Sequence, residues 1–247
     1  IYLIIYQNLI HAKSKTMKTK IFALAFCLSA SVLLAQTTKK PLELPEFKSI
    51  YVNSNYTVYL KQTNKQEVSV EALTEIFSVS DIKVEDGVLM INIERKPAAP
   101  NKSLWAKIDD IKLNPTMKLY VSMKNINELQ VNSGGKIISE NSLAANNLLL
   151  AVNGSGSMDL DIKGETVKAE VSGSGSLALR GYATSLDLVD SGSGNINAFN
   201  CPVENAKIKV TGSGNAELNV TNTIEAMVYG SGQVKHKGNT KNTQKKV

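Results

Sequence analysis

A short glycine-containing turn recurs six times in the second half of the chain, at a nearly constant interval. The six copies are Ser133-Gly134-Gly135, Gly154-Ser155-Gly156, Gly173-Ser174-Gly175, Gly192-Ser193-Gly194, Gly212-Ser213-Gly214 and Gly230-Ser231-Gly232. Their first residues lie 21, 19, 19, 20 and 18 positions apart. A fixed period of this length is typical of a solenoid, in which one supersecondary unit stacks on the next. Glycine at both ends of a copy predicts either a positive φ or strands that pass too close for a Cβ atom.

Apolar residues hold fixed positions relative to every turn. The position two before the triplet holds Val131, Val152, Val171, Asp190, Val210 and Val228. The position two after the triplet holds Ile137, Met158, Leu177, Ile196, Ala216 and Val234. Polar residues alternate with them, and strict alternation predicts strands with one buried face. We therefore expect an all-β coil with two strands per turn, in which like residues stack about 4.8 Å apart.

Asp190 is the one charged residue in its apolar column. Its carboxylate could cap the following turn by accepting hydrogen bonds from backbone N–H groups. Alternatively, the strand could slip by one residue, which would turn Val189 inward. We favour capping.

The chain divides into six segments. They are an upstream segment not expected in the protein (1–16), a signal peptide (17–35), a tether (36–46), a β meander with a loop (47–115), the glycine-turn solenoid (116–238) and a frayed polar tail (239–247). The signal peptide is predicted from a charged start, Met17-Lys18-Thr19-Lys20, and an apolar run that is short for a membrane span. We expect cleavage after Ala35 and export to the periplasm, the cell surface or the medium.

The positive net charge of +6 comes mostly from the two ends of the chain. Four leader lysines leave with the signal, so the mature balance is 24 − 22 = +2, and five lysines in the last thirteen residues leave the body near −3. Only Arg95 and Arg180 supply arginine, which argues against nucleic acid as a partner. Lys235, His236 and Lys237 are predicted to block the terminal strand edge.

The segment before the repeats alternates as strands do but lacks the glycine triplets. Asp86-Gly87 lies between two alternating runs and predicts a hairpin. The segment from Pro97 to Pro115 interrupts the pattern and carries the only tryptophan, Trp105. A loop of this length in a compact β protein is typically functional or disordered. Trp105 is a candidate for stacking on a sugar ring, with burial in the N-terminal core as the alternative.

The familiar chemical motifs are absent from the sequence. The turns lack the repeated aspartate of calcium-binding β-rolls and the lysine of a phosphate-binding loop, so we expect no metal and no cofactor. Asp159 and Asp161 share one predicted outward face, where they are either solvated acids or ligand contacts. Cys201, beside Pro202, is expected to be a small residue packed at a corner. We predict no catalytic residue.

Two stretches carry a resemblance to a known family. They are the opening pattern Phe47…Ile50-x-Val52…Val58-x-Leu60 and serial units such as Val171-Ser172-Gly173-Ser174-Gly175-Ser176-Leu177. Together they resemble the head-GIN-domain putative auto-transporter adhesins over about residues 47–238. The resemblance implies a right-handed β-helix-like coil of two stacked sheets, shaped like pectin lyases but without their catalytic residues. It also implies a role in adhesion for bacteria of the Bacteroidetes kind, and it assigns no catalytic residues.

Three functions remain open from the sequence. The first is an exported, non-enzymatic binding protein that presents a strand face to a glycan or a cell-surface protein, as a monomer or a homo-oligomer. The second is a polysaccharide-active enzyme on a β-helix, which would need a carboxylate pair. The third is a structural envelope protein without a ligand. We favour the first, with candidate ligand contacts at Trp105, Asp159 and Asp161 and no integral membrane segment after processing.

Overall fold

The computed structural model describes residues 37–94 and 116–246, which form a β-solenoid of about six turns. The strands are β1 (Thr37–Leu42), β2 (Ser49–Val52), β3 (Thr57–Gln62), β4 (Glu67–Leu73), β5 (Ser80–Glu85), β6 (Val88–Ile93), β7 (Met117–Met123), β8 (Glu128–Val131), β9 (Lys136–Ser139), β10 (Leu143–Gly154), β11 (Ser157–Gly173), β12 (Ser176–Asp190), β13 (Asn195–Gly212), β14 (Asn215–Gly230), β15 (Gln233–Lys237) and β16 (Asn242–Lys246). One helical turn, α1 (Thr74–Phe77), follows β4. The predicted signal peptide and the predicted loop with Trp105 lie outside the described residues.

The coil has two sheets that meet at two corners. The first sheet has the order β5-β6-β2-β8-β10-β11-β12-β13-β14-β16. The second has the order β1-β4-β7-β3-β9-β11-β12-β13-β14-β15. Strands β11 to β14 belong to both sheets because each bends between them. The glycine triplets form one corner, the glycine corner, and the bends, such as 163–166 in β11, form the second corner.

The register between neighbouring strands confirms the predicted apolar columns. Val131, Val152 and Val171 are direct partners across β8, β10 and β11. Asp190 continues the same column between Val171 and Val210, so the strand does not slip. The side chains of these columns are almost fully buried and fill the interior between the two sheets. The hydrophobic effect therefore acts along the whole length of the coil, one rung on the next.

The N-terminal segment differs from the meander that the sequence predicts. Strands β2 and β3 do not pair with each other; they pair in parallel with β8 and β9 and form a rung of the solenoid. The chain then leaves this rung, adds β4 to β7 outside it, and returns to β8. The predicted hairpin at Asp86-Gly87 is confirmed, because β5 and β6 are antiparallel and both turn residues have positive φ.

Both ends contain more strand than the sequence predicts. Part of the predicted tether is β1, which pairs with β4 in antiparallel register. Part of the predicted frayed tail is β16, which pairs in parallel with β14. Backbone pairing satisfies the edge N–H and C=O groups whatever the side chains are, so the polar composition of these segments did not reveal it.

Candidate functional site

Asp159 and Asp161, the two described residues among the predicted ligand contacts, lie on the outward face of the second sheet. The buried residue between them, Leu160, confirms the alternation of the strand. The carboxylate of Asp159 is already engaged by the guanidinium of Arg180 on the next strand. The backbone N–H of Asp161 donates to the hydroxyl of Ser139 at 2.7 Å. The contribution of either carboxylate to ligand binding stays a prediction.

A ladder of asparagines runs along the first sheet beside the glycine corner. Asn53 Nδ2 donates to Asn92 Oδ1 at 2.8 Å, and Asn132 Nδ2 donates to Asn53 Oδ1 at 2.7 Å. Asn153 Nδ2 continues the chain to Asn132 Oδ1 at 2.9 Å. Each amide uses its neighbours on adjacent rungs as partners. This ladder is therefore part of the support of the coil and has little capacity left for a ligand.

A long open groove lies along the second corner, in the N-terminal half of the coil. It encloses about 1100 Å³ and is lined from the segment before β2 to the corner of β12. These five adjacent rungs span about 19 Å at about 4.8 Å per strand spacing. The buried residues Ile126, Leu148 and Gly164 lie beneath exposed polar neighbours. The shape suits an extended ligand better than a small compact one.

The charge of the groove is mainly positive. Lys48, Lys163 and Lys168 line it and are exposed, against one lining carboxylate, Glu165. Within the described ranges none of the four takes part in an ion pair. A smaller hollow of about 430 Å³ adjoins the groove near Lys48 and is lined by both acids and lysines. The uncompensated positive charge is therefore concentrated on β11.

Two exposed apolar side chains belong to the same groove. In the part of the chain that the structure describes, three large hydrophobic residues are exposed: Leu149 (44%), Tyr182 (52%) and Tyr229 (49%). Leu149 and Tyr182 both line the groove, whereas Tyr229 lies on the first sheet near the other end of the coil. Exposed apolar surface that coincides with a concave site is typical of ligand binding.

Four asparagine side chains of the groove contrast with those of the ladder. They are Asn125, Asn127, Asn146 and Asn147, and all four are exposed. Among residues 37–94 and 116–246 their amides have no hydrogen-bond partner, although the backbone of Asn127 bonds to Lys48 and Leu149. An amide offers both donors and acceptors, as a ligand rich in hydroxyl groups requires.

The groove is the part of the molecule that reasoning from the sequence missed. Its signal was present at the opposite end of each repeat from the glycines. On one rung, Ala144-Ala145-Asn146-Asn147 provides small and amide side chains, and on another rung Tyr182 provides an aromatic ring. The repeat pattern reveals the residues that all repeats have in common, whereas the groove is formed by residues that differ between repeats.

Asp190 and Cys201 are two buried ionisable groups that could have carried chemistry. Asp190 Oδ1 accepts a hydrogen bond from the N–H of Gly192 at 3.2 Å, which confirms the capping role. Burial raises the pKa of Asp190, and the Gly192 N–H acts in the opposite direction. Burial also raises the pKa of Cys201 to about 11, helped by the charge of Asp161, so this thiol is poorly nucleophilic at neutral pH.

The described ranges contain neither a cluster of metal ligands nor a helix that could span a membrane. No cluster of three or more His, Cys, Asp and Glu side chains is placed to hold a metal ion there. None of the helical structure in residues 37–94 and 116–246 has the length and apolar character needed to span a bilayer.

Comparison with known proteins places the chain in a family of shared fold. The model of the family described as "Putative auto-transporter adhesin, head GIN domain" matches residues 46–240. No curated protein matches the chain significantly.

Solved structures similar to this chain include proteins from Bacteroides fragilis and Parabacteroides distasonis. A putative adhesin from Bacteroides fragilis is 21% identical, with a TM-score of 0.67 over 87% of this chain and 98% of that one. A putative lipid binding protein from Parabacteroides distasonis is 19% identical, with a TM-score of 0.65 over 85% and 94%. A putative adhesin from the same organism is 21% identical, with a TM-score of 0.60 over 86% and 98%. At these identities the likeness establishes the fold.

Proposed function

The chain belongs to the head GIN domain family of putative auto-transporter adhesins, and on that premise we propose that it is an exported, non-enzymatic protein that binds a glycan. The solenoid is a rigid support, and the groove at the second corner is the surface that it presents to a glycan on a cell. The predicted signal peptide supports export, and the family supports adhesion.

The observation that carries this proposal is the combination of Tyr182 with unpartnered amides along one groove. The apolar face of a sugar ring packs on an aromatic ring, while its hydroxyl groups need donors and acceptors around the edge. Tyr182 supplies the ring on β12, and Asn146 and Asn147 supply amides on β10, two rungs away along the same groove. The asparagines of the ladder cannot do this, because their amides already bond to each other.

The open lining favours a glycan over the two alternatives. A glycosidase needs two carboxylates at a defined separation, and Glu165 is the one carboxylate among the described lining residues. One similar structure is called a lipid binding protein, but this groove is open and carries amide, hydroxyl and ammonium groups beside its apolar ones. Trp105, Asp159 and Asp161 remain predictions as additional contacts.

Binding and hydrolysis can be tested in one experiment. The purified protein is incubated with a panel of bacterial and host polysaccharides, and both retention on the immobilised polymer and the release of new sugar chain ends are measured. We expect retention without new ends. Release of new ends would contradict a non-enzymatic role and favour the polysaccharide-active alternative.

A matched pair of tyrosine variants locates the site. Tyr182→Ala should weaken glycan binding about tenfold, because the stacking surface is lost. Tyr229→Ala removes an equally exposed ring outside the groove and should leave binding unchanged. Equal effects of the two substitutions, or no effect of either, would rule out the groove as the glycan site.

A further inference from the structure

We propose that the ligand of the groove is an acidic glycan, a polymer of sugars that carry carboxylate or sulfate groups. This inference rests on the proposed function and names the class of sugar that the groove selects. It is carried by the position of the lysines relative to their neighbours on adjacent strands.

Three lysines elsewhere on this coil are compensated by an acid on the adjacent strand. Three cross-strand pairs show the pattern: Lys118–Glu71 at 3.6 Å, Lys207–Glu225 at 3.9 Å and Lys235–Glu217 at 3.9 Å. In each pair the two residues are direct register partners. At these three positions an acid in register on the neighbouring strand therefore offsets the charge of the lysine.

Lys163 departs from that pattern. Its register partners are Ala144 on β10 and Tyr182 on β12, and neither carries a charge. Lys168 has Leu149 on one side and Asp187 on the other, and no ion pair with Asp187 forms within 4.0 Å. Lys163 thus carries positive charge that no acid in register on a neighbouring strand neutralises, and Lys168 has an acid in register but no ion pair with it.

The rest of the coil does not share this excess. The described ranges contain 19 Lys and Arg residues against 20 Asp and Glu, a balance of 19 − 20 = −1. Lys48, Lys163, Lys168 and Glu165 give the groove a balance of 3 − 1 = +2. Positive potential on a molecule near neutrality steers anionic ligands to that place.

The pairing of Lys163 with Tyr182 suits an acidic sugar in particular. Register partners on parallel strands lie about 4.8 Å apart, so the backbones of Lys163 and Tyr182 place a cationic and an aromatic side chain on adjacent rungs of the groove. A sugar ring packed on Tyr182 can direct its anionic group toward the ammonium of Lys163. Asn146 and Asn147 are within the same groove for the remaining hydroxyl groups. A neutral glycan would leave the ammonium groups without a counter-charge.

The test compares three oligosaccharides of equal length by titration calorimetry: a polygalacturonate fragment, a sulfated fragment and a neutral glucan. We expect the two acidic ligands to bind about tenfold or more tightly than the neutral one. Raising the salt concentration from about 50 mM to about 300 mM should weaken acidic binding and leave neutral binding unchanged. A preference between the carboxylate and the sulfate ligand assigns the anionic group.

Charge variants separate this inference from the proposed function. The double variant Lys163→Gln and Lys168→Gln should lose most of the preference for acidic ligands while it keeps the weaker neutral binding. Lys61→Gln changes an exposed lysine outside the groove and should have no effect. Equal binding of acidic and neutral glycans that still depends on Tyr182 would overturn the inference but retain the glycan site. Binding of no glycan would overturn both.

A second experiment tests whether the groove binds the negative charge of lipid headgroups. Vesicles of phosphatidylglycerol are compared with vesicles of phosphatidylcholine in a sedimentation assay, with the same variants. We expect little binding to either. Tight binding to the anionic vesicles that Lys163→Gln and Lys168→Gln abolish would overturn the acidic-glycan inference and assign the groove to a membrane surface. Unfolding temperatures of all variants exclude loss of fold as the cause.

Discussion

Glycine recurs at both ends of five of the six turns, for two different physical reasons. In four of these five turns the first glycine has a positive φ, for example 104° at Gly173, and so needs its backbone freedom. The last glycine has an ordinary backbone but no space, because a Cβ on Gly175 would lie 2.4 Å from Cγ1 of Val152. The two explanations that the sequence left open thus apply at different positions. The serine between them is exposed and has neither constraint.

Substitution at the crowded glycine should destabilise the coil. Gly175→Ala should lower the free energy of unfolding by about 1–3 kcal/mol, because the methyl group overlaps Val152. Ser174→Ala should change it by less than about 0.5 kcal/mol. Urea unfolding of each variant measures both. In a Val152→Ala background the cost of Gly175→Ala should fall, although not to zero, because Gly156 O would lie 2.8 Å from the new methyl group. An unchanged cost in that background would contradict the crowding explanation.

Asp190 is a buried acid in a column of valines, and its removal should stabilise the protein. Its Oδ2 atom has no hydrogen-bond partner in the described ranges. Asp190→Val should therefore raise the free energy of unfolding at neutral pH by about 1–3 kcal/mol. Because burial raises the pKa of Asp190 above 3.8, the folded state prefers the neutral acid. The raised pKa of Asp190 therefore contributes stability to the wild-type protein that is fully present below pH 3.8 and is lost as the pH rises through the folded-state pKa.

The pH dependence gives the check on this prediction. The stability gained by Asp190→Val should be largest at neutral pH and should shrink as the pH falls toward 3.8. Asp187→Val changes an acid on the outward face of the same strand and serves as the control. Chemical unfolding at several pH values measures the difference. A gain that is independent of pH would show that titration of Asp190 is not its cause.

At the scale of the strands, the sequence predicted the regular part of the coil and missed its beginning. The recurring turns aligned the column of Val131, Val152 and Val171 from β8 onward, because residues at a fixed distance from a turn keep the same register from rung to rung. The rung of β2 and β3 was not predicted because its turn carries no glycine triplet. In that turn, Asn55 lies against Gly134 of the next rung. Its partner strands also come much later in the chain. Alternation alone cannot reveal which strand will be the neighbour.

The last strand of the second sheet has an edge that charge is expected to protect. Within the described residues β15 pairs with β14 alone, and Lys235 and Lys237 are exposed on it. The double variant Lys235→Val and Lys237→Val should self-associate with increasing concentration, because a neutral edge can pair with another copy. Analytical ultracentrifugation measures the association. Lys209→Val, on the central strand β13, is the control and should remain unchanged; association of both variants would contradict the edge explanation.

At the scale of the whole molecule, the solenoid could be predicted from the sequence but its groove could not. The glycine corner follows from one repeated constraint, the close approach of successive rungs. The groove places on one surface residues from Lys48 to Tyr182, which lie far apart in the sequence and come from rungs with different local patterns. The neighbours of β2 also cannot be predicted until the positions of the added strands β4 to β7 are known. A tertiary arrangement, and not a motif, therefore makes the candidate site.

A groove of this kind implies weak single contacts, and adhesion then depends on many of them. Its contacts are two exposed apolar side chains, a few amides and solvated lysines, and exposed charges contribute little individually. Many copies on one surface convert later binding events into local ones, which can raise the overall affinity by about 10²–10⁴-fold.

Beads coated densely with the protein should therefore be retained on an acidic polysaccharide under conditions in which sparsely coated beads are released. Beads that carry Tyr182→Ala should lose this retention, because avidity multiplies the loss at each site, while Tyr229→Ala beads should keep it. Retention that does not depend on coating density would indicate a tight single site, which this open groove does not offer.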